Sequence, residues 1–118
     1  MEGLPDEALV QVAAYFQALS EPTRLQILNL LRQQERSVGE LARLCGYTSA
    51  NISRHLALLT KHGLVARESR GTSVYYRIAD ESVYALCDLV CANIARQLER
   101  SASGRRAFAR TARRPAKA

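Results

Sequence analysis

The sequence predicts a mostly helical fold with one small β-hairpin, on three observations. Apolar residues recur at helical spacing through five segments. Two short stretches, the second of them β-branched and aromatic, flank the turn Arg70-Gly71-Thr72. Hydroxyl residues, proline and glycine stand at the segment edges, where caps and turns are needed.

The first helix is expected from Pro5-Asp6 to about Leu19, with Leu9, Val12, Ala13, Phe16 and Leu19 on one face. Ser20-Glu21-Pro22 starts a second helix by supplying a capping side chain and then proline near the first helical position. That helix runs to about Arg32 and carries Leu25, Ile27, Leu28 and Leu31; residues 33–36 form a polar connection. Ser37-Val38-Gly39-Glu40 fits a capping box, in which serine bonds forward and glutamate bonds back. It opens a third helix with Val38, Leu41 and Leu44, closed by Cys45-Gly46, where glycine can adopt the left-handed conformation.

Thr48 begins the fourth helix. Ile52, Leu56 and Leu59 fall at i, i+4 and i+7 and form one apolar stripe, while Ser49, Asn51, Ser53, Arg54 and Lys61 make the other face polar and cationic. Helix, tight turn at Gly46-Tyr47 and polar-faced helix make a helix-turn-helix, whose second helix can enter a DNA groove. Residues 64–69 and 73–78 then pair as a hairpin, the wing of a winged helix. Asp80 caps a last helix to about Leu98, with Val83, Leu86, Cys87, Val90, Cys91 and Ile94 in its stripe.

A chain of 118 residues accommodates one domain and a tail. We place the domain at residues 1–99 and a basic tail at 100–118. The formal charge of +6 is concentrated in that tail: it holds seven arginines and lysines and no acid, leaving ten basic against eleven acidic residues elsewhere. With Phe108 its one bulky apolar residue, the tail is expected to be disordered, serving as a phosphate-binding arm or a passive solubilising segment. No apolar run approaches the ~18 residues of a membrane-spanning helix, and the acidic amino terminus does not resemble a signal peptide, so the cytoplasm is the expected location. Three cysteines in such a chain argue against a disulfide scaffold.

Four blocks together carry a family resemblance: residues 19–25 (LSEPTRL), residues 52–59 (ISRHLALL), Gly63-Leu64-Val65 and Val74-Tyr75-Tyr76-Arg77. In this order and spacing, over about residues 8–98, the chain resembles the arsenic-repressor (ArsR/SmtB) family. The resemblance implies a winged helix-turn-helix homodimer joined through its first and last helices. It implies a repressor that binds a palindromic operator in double-stranded DNA and releases it when an inducer binds.

The residues assign the DNA contacts in more detail. Residues near the start of a recognition helix reach deepest into the major groove, which places Ser49, Asn51 and Arg54 at base edges or nearby phosphates, with Ser53 on the same DNA-binding face. Asn51 can bond adenine through two hydrogen bonds, and Arg54 guanine or a phosphate. Tyr47 and Thr48 are expected on backbone phosphate, Lys61 on the same polar face, and Arg70, Thr72 and Ser73 at the wing tip along the backbone or minor groove. The competing assignments are a plain cap for Thr48 and Ser49, a structural role for His55, and solvated charges for Arg54 and Arg70.

Cys87 and Cys91 share a helical face, with Cβ atoms expected about 5–6 Å apart. A relaxed disulfide needs about 3.5–4.5 Å. The pair therefore suits a shared soft ion, reached through metal–thiolate bonds of about 2.3 Å. As(III), Sb(III), Cd(II), Hg(II) and Zn(II) are candidates, with Cys45, a partner-chain residue or hydroxide completing the site. The alternatives are oxidation or persulfide chemistry at these thiols, and cysteines packed simply as small apolar side chains.

Two departures from the family exclude its familiar ion sites. Its arsenic-binding members carry Cys-Val-Cys where this chain has Ser37-Val38-Gly39, and its zinc-binding members carry a His/His/Glu set where this chain has Ser82, Asn93 and Arg96 beside a retained Asp80. A guanidinium cannot replace a carboxylate ligand. The remaining alternatives are a DNA-binding regulator with no small-molecule site and an enzyme. The latter is poorly supported, because no phosphate loop, metal-ligand quartet or paired carboxylates occur.

Overall fold

In a computed structural model, residues 1–99 and 102–112 are described. The elements run α1 (Asp6–Ala18), α2 (Pro22–Gln33), β1 (Arg36–Ser37), α3 (Val38–Cys45), α4 (Ser49–Lys61), β2 (Val65–Arg70), β3 (Ser73–Ile78), α5 (Ser82–Leu98) and α6 (Ala102–Ala112). The chain divides into two compact units, Met1–Ala79 and Asp80–Ala118. The first contains a winged helix-turn-helix.

The boundaries of α2 and α3 follow their caps. The Glu21 carboxylate accepts the Arg24 amide and proline stands at the start of α2, while the Ser20 hydroxyl donates back to the Gln17 carbonyl. The capping box of α3 forms in both directions: the Glu40 amide donates to Ser37 Oγ at 3.1 Å, and the Ser37 amide donates to Glu40 Oε1 at 3.0 Å. Those bonds, the amide of Ser37 foremost, hold the Glu40 carboxyl below its ordinary range. Gly46 closes α3 at φ +76°, and the Gly46 and Tyr47 amides both bond the Ala42 carbonyl.

The core of the first unit is aliphatic. Ile27 and Leu30 of α2, Leu41 of α3 and Ile52, Leu56 and Leu59 of α4 are fully enclosed, with Leu64 beside them in sequence after α4. The stripe expected on α4 is therefore its buried face. On α2 the stripe is turned slightly: Leu30 is buried and Leu25 is exposed.

The sheet has three strands in the order β1-β3-β2, all antiparallel. The hairpin pairs Val65 with Ile78 through Arg70 with Ser73, leaving Gly71-Thr72 as a two-residue loop. Gly71 has φ +61° and Thr72 does not share that sign, as a type II′ turn requires. The third strand is an addition to the expected hairpin: Arg36 and Ser37, read from sequence as connection, pair with Tyr76 and Tyr75. Arg36 is buried there, its guanidinium donating to the Leu30 carbonyl and to Gln33 Oε1 at the end of α2.

In the second unit, Val83 and Tyr84 are buried, whereas Leu89, Val90 and Ile94 of α5 are exposed. The expectation of a disordered tail is corrected over Ala102–Ala112, which form α6. Local propensity favours a helix here, because alanine and arginine are strong helix formers and proline is absent until Pro115. Residues 100–101 and 113–118 lie outside the described residues. No helix among the described residues is long and apolar enough to cross a membrane.

Candidate nucleic-acid interface

The three-residue connection Gly46-Tyr47-Thr48 presents the start of α4. Tyr47 is half exposed, and Thr48 Oγ1 accepts the Asn51 amide at 3.1 Å. Thr48 thus caps the helix, and its hydroxyl proton stays available for a phosphate. Because the buried stripe fixes the rotation of α4, Ser49, Ser53 and Arg54 project to solvent. Arg54 has no ion-pair partner among the described residues.

Asn51 is placed differently from its neighbours. It is half-buried, and its Oδ1 is shielded from solvent without a hydrogen-bond partner. Two-point recognition of adenine uses both amide atoms. Presenting both would require the side chain to turn outward, a movement favoured by the unmet demand of that oxygen. Lys61 stands twelve residues after Ser49, about 18 Å along the helix axis, so the two ends of α4 face different surroundings.

His55 has a structural place. Arg24 donates through Nε to the Ala18 carbonyl at 2.6 Å, through Nη2 to the Gln17 carbonyl at 3.2 Å, and through Nη1 to His55 Nδ1 at 3.2 Å. A guanidinium only donates, so Nδ1 is the acceptor and the proton of neutral His55 sits on Nε2, 3.8 Å from Glu21 Oε2. One arginine thus closes the end of α1 and fastens it to the middle of α4.

At the wing, Thr72 and Ser73 are exposed at the tip. Arg70 is held rather than free. It makes a two-pronged ion pair with Glu35 at 2.7 and 2.9 Å, a third bond to Glu68 at 2.8 Å, and its guanidinium lies 4.7 Å from the Tyr75 ring centroid. The bond to Arg70 lowers the Glu35 pKa, and both carboxylates raise that of Arg70. One guanidinium between two carboxylates leaves the cluster net negative, which disfavours phosphate. Glu35→Gln is therefore expected to tighten binding to any duplex by roughly two- to fivefold at low salt, the range of an exposed pair; anisotropy at fixed salt checks it, and weaker binding would show that Glu35 positions Arg70 for DNA. Arg67 and Arg77, not singled out in the sequence, are exposed wing cations without an ion pair among the described residues.

All three cysteines are unbridged: Cys45 is buried, Cys87 half-buried and Cys91 exposed. Among the described residues no three His, Cys, Asp or Glu side chains come together as a metal site.

A three-helix core, a capped recognition helix and a β-wing define a winged helix-turn-helix protein. Residues 21–67 match the model of the family described as bacterial regulatory protein, arsR family. The transcriptional regulator NmtR of Mycobacterium tuberculosis is 38% identical over 72% of this chain and 71% of its own length. The regulator KmtR of the same organism is 39% identical over 70% of this chain, which spans 64% of that protein. A second regulator from it, Rv0324, is 45% identical over 70% of this chain, which spans only 36% of its length. Among solved structures, the homodimeric winged helix-turn-helix DNA-binding domain of a possible ArsR-family regulator from Mycobacterium bovis superposes with a TM-score of 0.71 at 40% identity, covering 86% of this chain and 97% of that one. The chain belongs to the ArsR family of transcriptional regulators, and these relatives are regulators rather than enzymes.

Proposed function

We propose that this chain is a homodimeric repressor, acting in the cytoplasm through residues 1–99, that binds a palindromic operator and releases it when a thiophilic ion binds the last-helix cysteines. The observation that carries the DNA-binding part is the two-faced α4: Ile52, Leu56 and Leu59 are fully enclosed while Ser49, Ser53 and Arg54 are exposed. Arg54, Ser49, Ser53 and a reoriented Asn51 read the major groove, Tyr47 and Thr48 contact phosphate, and Thr72 and Ser73 bring the wing to the backbone. Arg106 and Arg110 of α6, one turn apart and exposed, add non-specific phosphate attraction. Repression rather than activation is our reading: a relative from Synechocystis is named a transcriptional repressor, and one from Vibrio cholerae a transcriptional activator.

The effector part rests on donor chemistry. Cys91 is exposed and Cys87 half-buried on one face of α5, and both are thiols. Two thiolates are an incomplete set for Cd(II) or As(III), and the buried Cys45 is the less accessible third candidate. Pairing the last helices of two subunits would double the donors. An anisotropy titration of fluorescent operator DNA against Cd(II) and arsenite tests this. The wild type is expected to release DNA, and Cys87→Ser with Cys91→Ser to bind DNA normally without release. Release by the double variant would remove α5 from the effector site; release by peroxide or persulfide alone would replace metal sensing by thiol oxidation.

A further inference from the structure

We propose that the groove between α1 and the C-terminal turn of α4 is a binding site for a small organic acid. Its volume is about 750 Å³, within the range of small-molecule sites. Arg24, Lys61 and His62 supply its nitrogen groups and Gln11 and Gln17 its amides, and no carboxylate lines it. Lys61, the cation remote from the groove-reading end of α4, has no ion-pair partner among the described residues.

Arg24 is the fixed point. Three of its five N–H groups are committed to the Ala18 and Gln17 carbonyls and to His55, which hold the guanidinium in place. The other two remain for a ligand. Its bonds to α1 answer the partial negative charge at that helix end, and Lys61, in the last turn of α4, adds a cation with no ion-pair partner among the described residues. A carboxylate bridging the Arg24 fork and the Lys61 ammonium meets both demands through charge-assisted bonds. Ala14 leaves room for an organic body, and Leu58 gives it an apolar surface. Leu9 and Ala18 lie nine residues apart on α1, half a turn out of phase, so this face is opposite the exposed Leu9 and Phe16.

The site meets the recognition helix directly through Leu58 and Lys61, and indirectly through the Arg24–His55 bond. A ligand there would bias how α4 is held against α1. This goes beyond the thiol reading and does not depend on it.

The test needs no DNA, so its outcome is separate from that of the operator reading. The full chain, labelled with ¹⁵N, is titrated with benzoate and, separately, with inorganic phosphate. Saturable shifts of the Arg24 Nε–H and of the Gln11 and Gln17 side-chain amides are expected with benzoate, and Lys61→Ala is expected to weaken that binding at least about tenfold. Absence of saturation, or an unchanged affinity in Lys61→Ala, overturns the proposal. Saturation by phosphate alone overturns the organic-acid assignment and leaves an inorganic anion site.

Discussion

Replacing Arg54 with alanine is expected to weaken operator binding by about 1–3 kcal/mol while leaving the fold intact. The side chain is exposed, so the core loses nothing, and its charge is unspent within the described residues. Two outcomes separate the roles open to it. If Arg54 bonds a guanine, the loss falls on the operator and binding to unrelated duplex changes little. If it bonds a phosphate, both weaken together and the slope of log affinity against log salt falls by about one. The measurement is anisotropy across a salt series with an operator obtained by in vitro selection. Unchanged binding to both duplexes would show that a different face of α4 meets DNA.

The same helix shows why its orientation was legible in the sequence. An amphipathic stripe with a hydroxyl cap leaves one way to pack, and Ile52, Leu56 and Leu59 are completely buried as their spacing demands. The capping box at Ser37 and the glycines at 46 and 71 were equally legible, because each meets a local need of the backbone. What escaped were features set across long separations. Arg36 and Ser37 form a strand only because Tyr76 and Tyr75 lie alongside, and a two-residue strand has no periodicity to detect. Arg70 reads as a free wing cation until the fold brings Glu35 to it from thirty-five positions away. Asn51 sits on the polar side of the helical wheel, yet its amide oxygen is turned inward, a choice of torsion that residue type does not set. The helix over Ala102–Ala112 escaped for another reason: composition weighs whether a segment can bury apolar surface, whereas α6 draws on local propensity.

Placing glutamate at both Val90 and Ile94 is expected to have a larger effect than Arg54→Ala, by dissociating the dimer. These residues are one turn apart on α5 and exposed in the isolated chain, with Leu89 beside them. Exposed apolar residues of this size, grouped on one helix, mark an interaction surface. The last-helix stripe that the sequence reserves for burial finds it within the chain only at Val83 and in part at Leu86 and Cys87. A second subunit is the occupant we propose, in keeping with the homodimeric relative. The helix itself should survive, because glutamate is a good helix former and the replaced side chains already face water. In a dimer, by contrast, the symmetry axis would set carboxylates from both chains close together without a partner, at a cost of several kcal/mol. Sedimentation should then report a monomer with an unchanged helical spectrum. Operator affinity should fall by at least about a hundredfold, because each half-site must be bound without its linked neighbour. A double variant that remains dimeric would move the interface away from this face of α5. A monomer that binds operator as tightly as the wild type would show that one winged helix suffices for recognition.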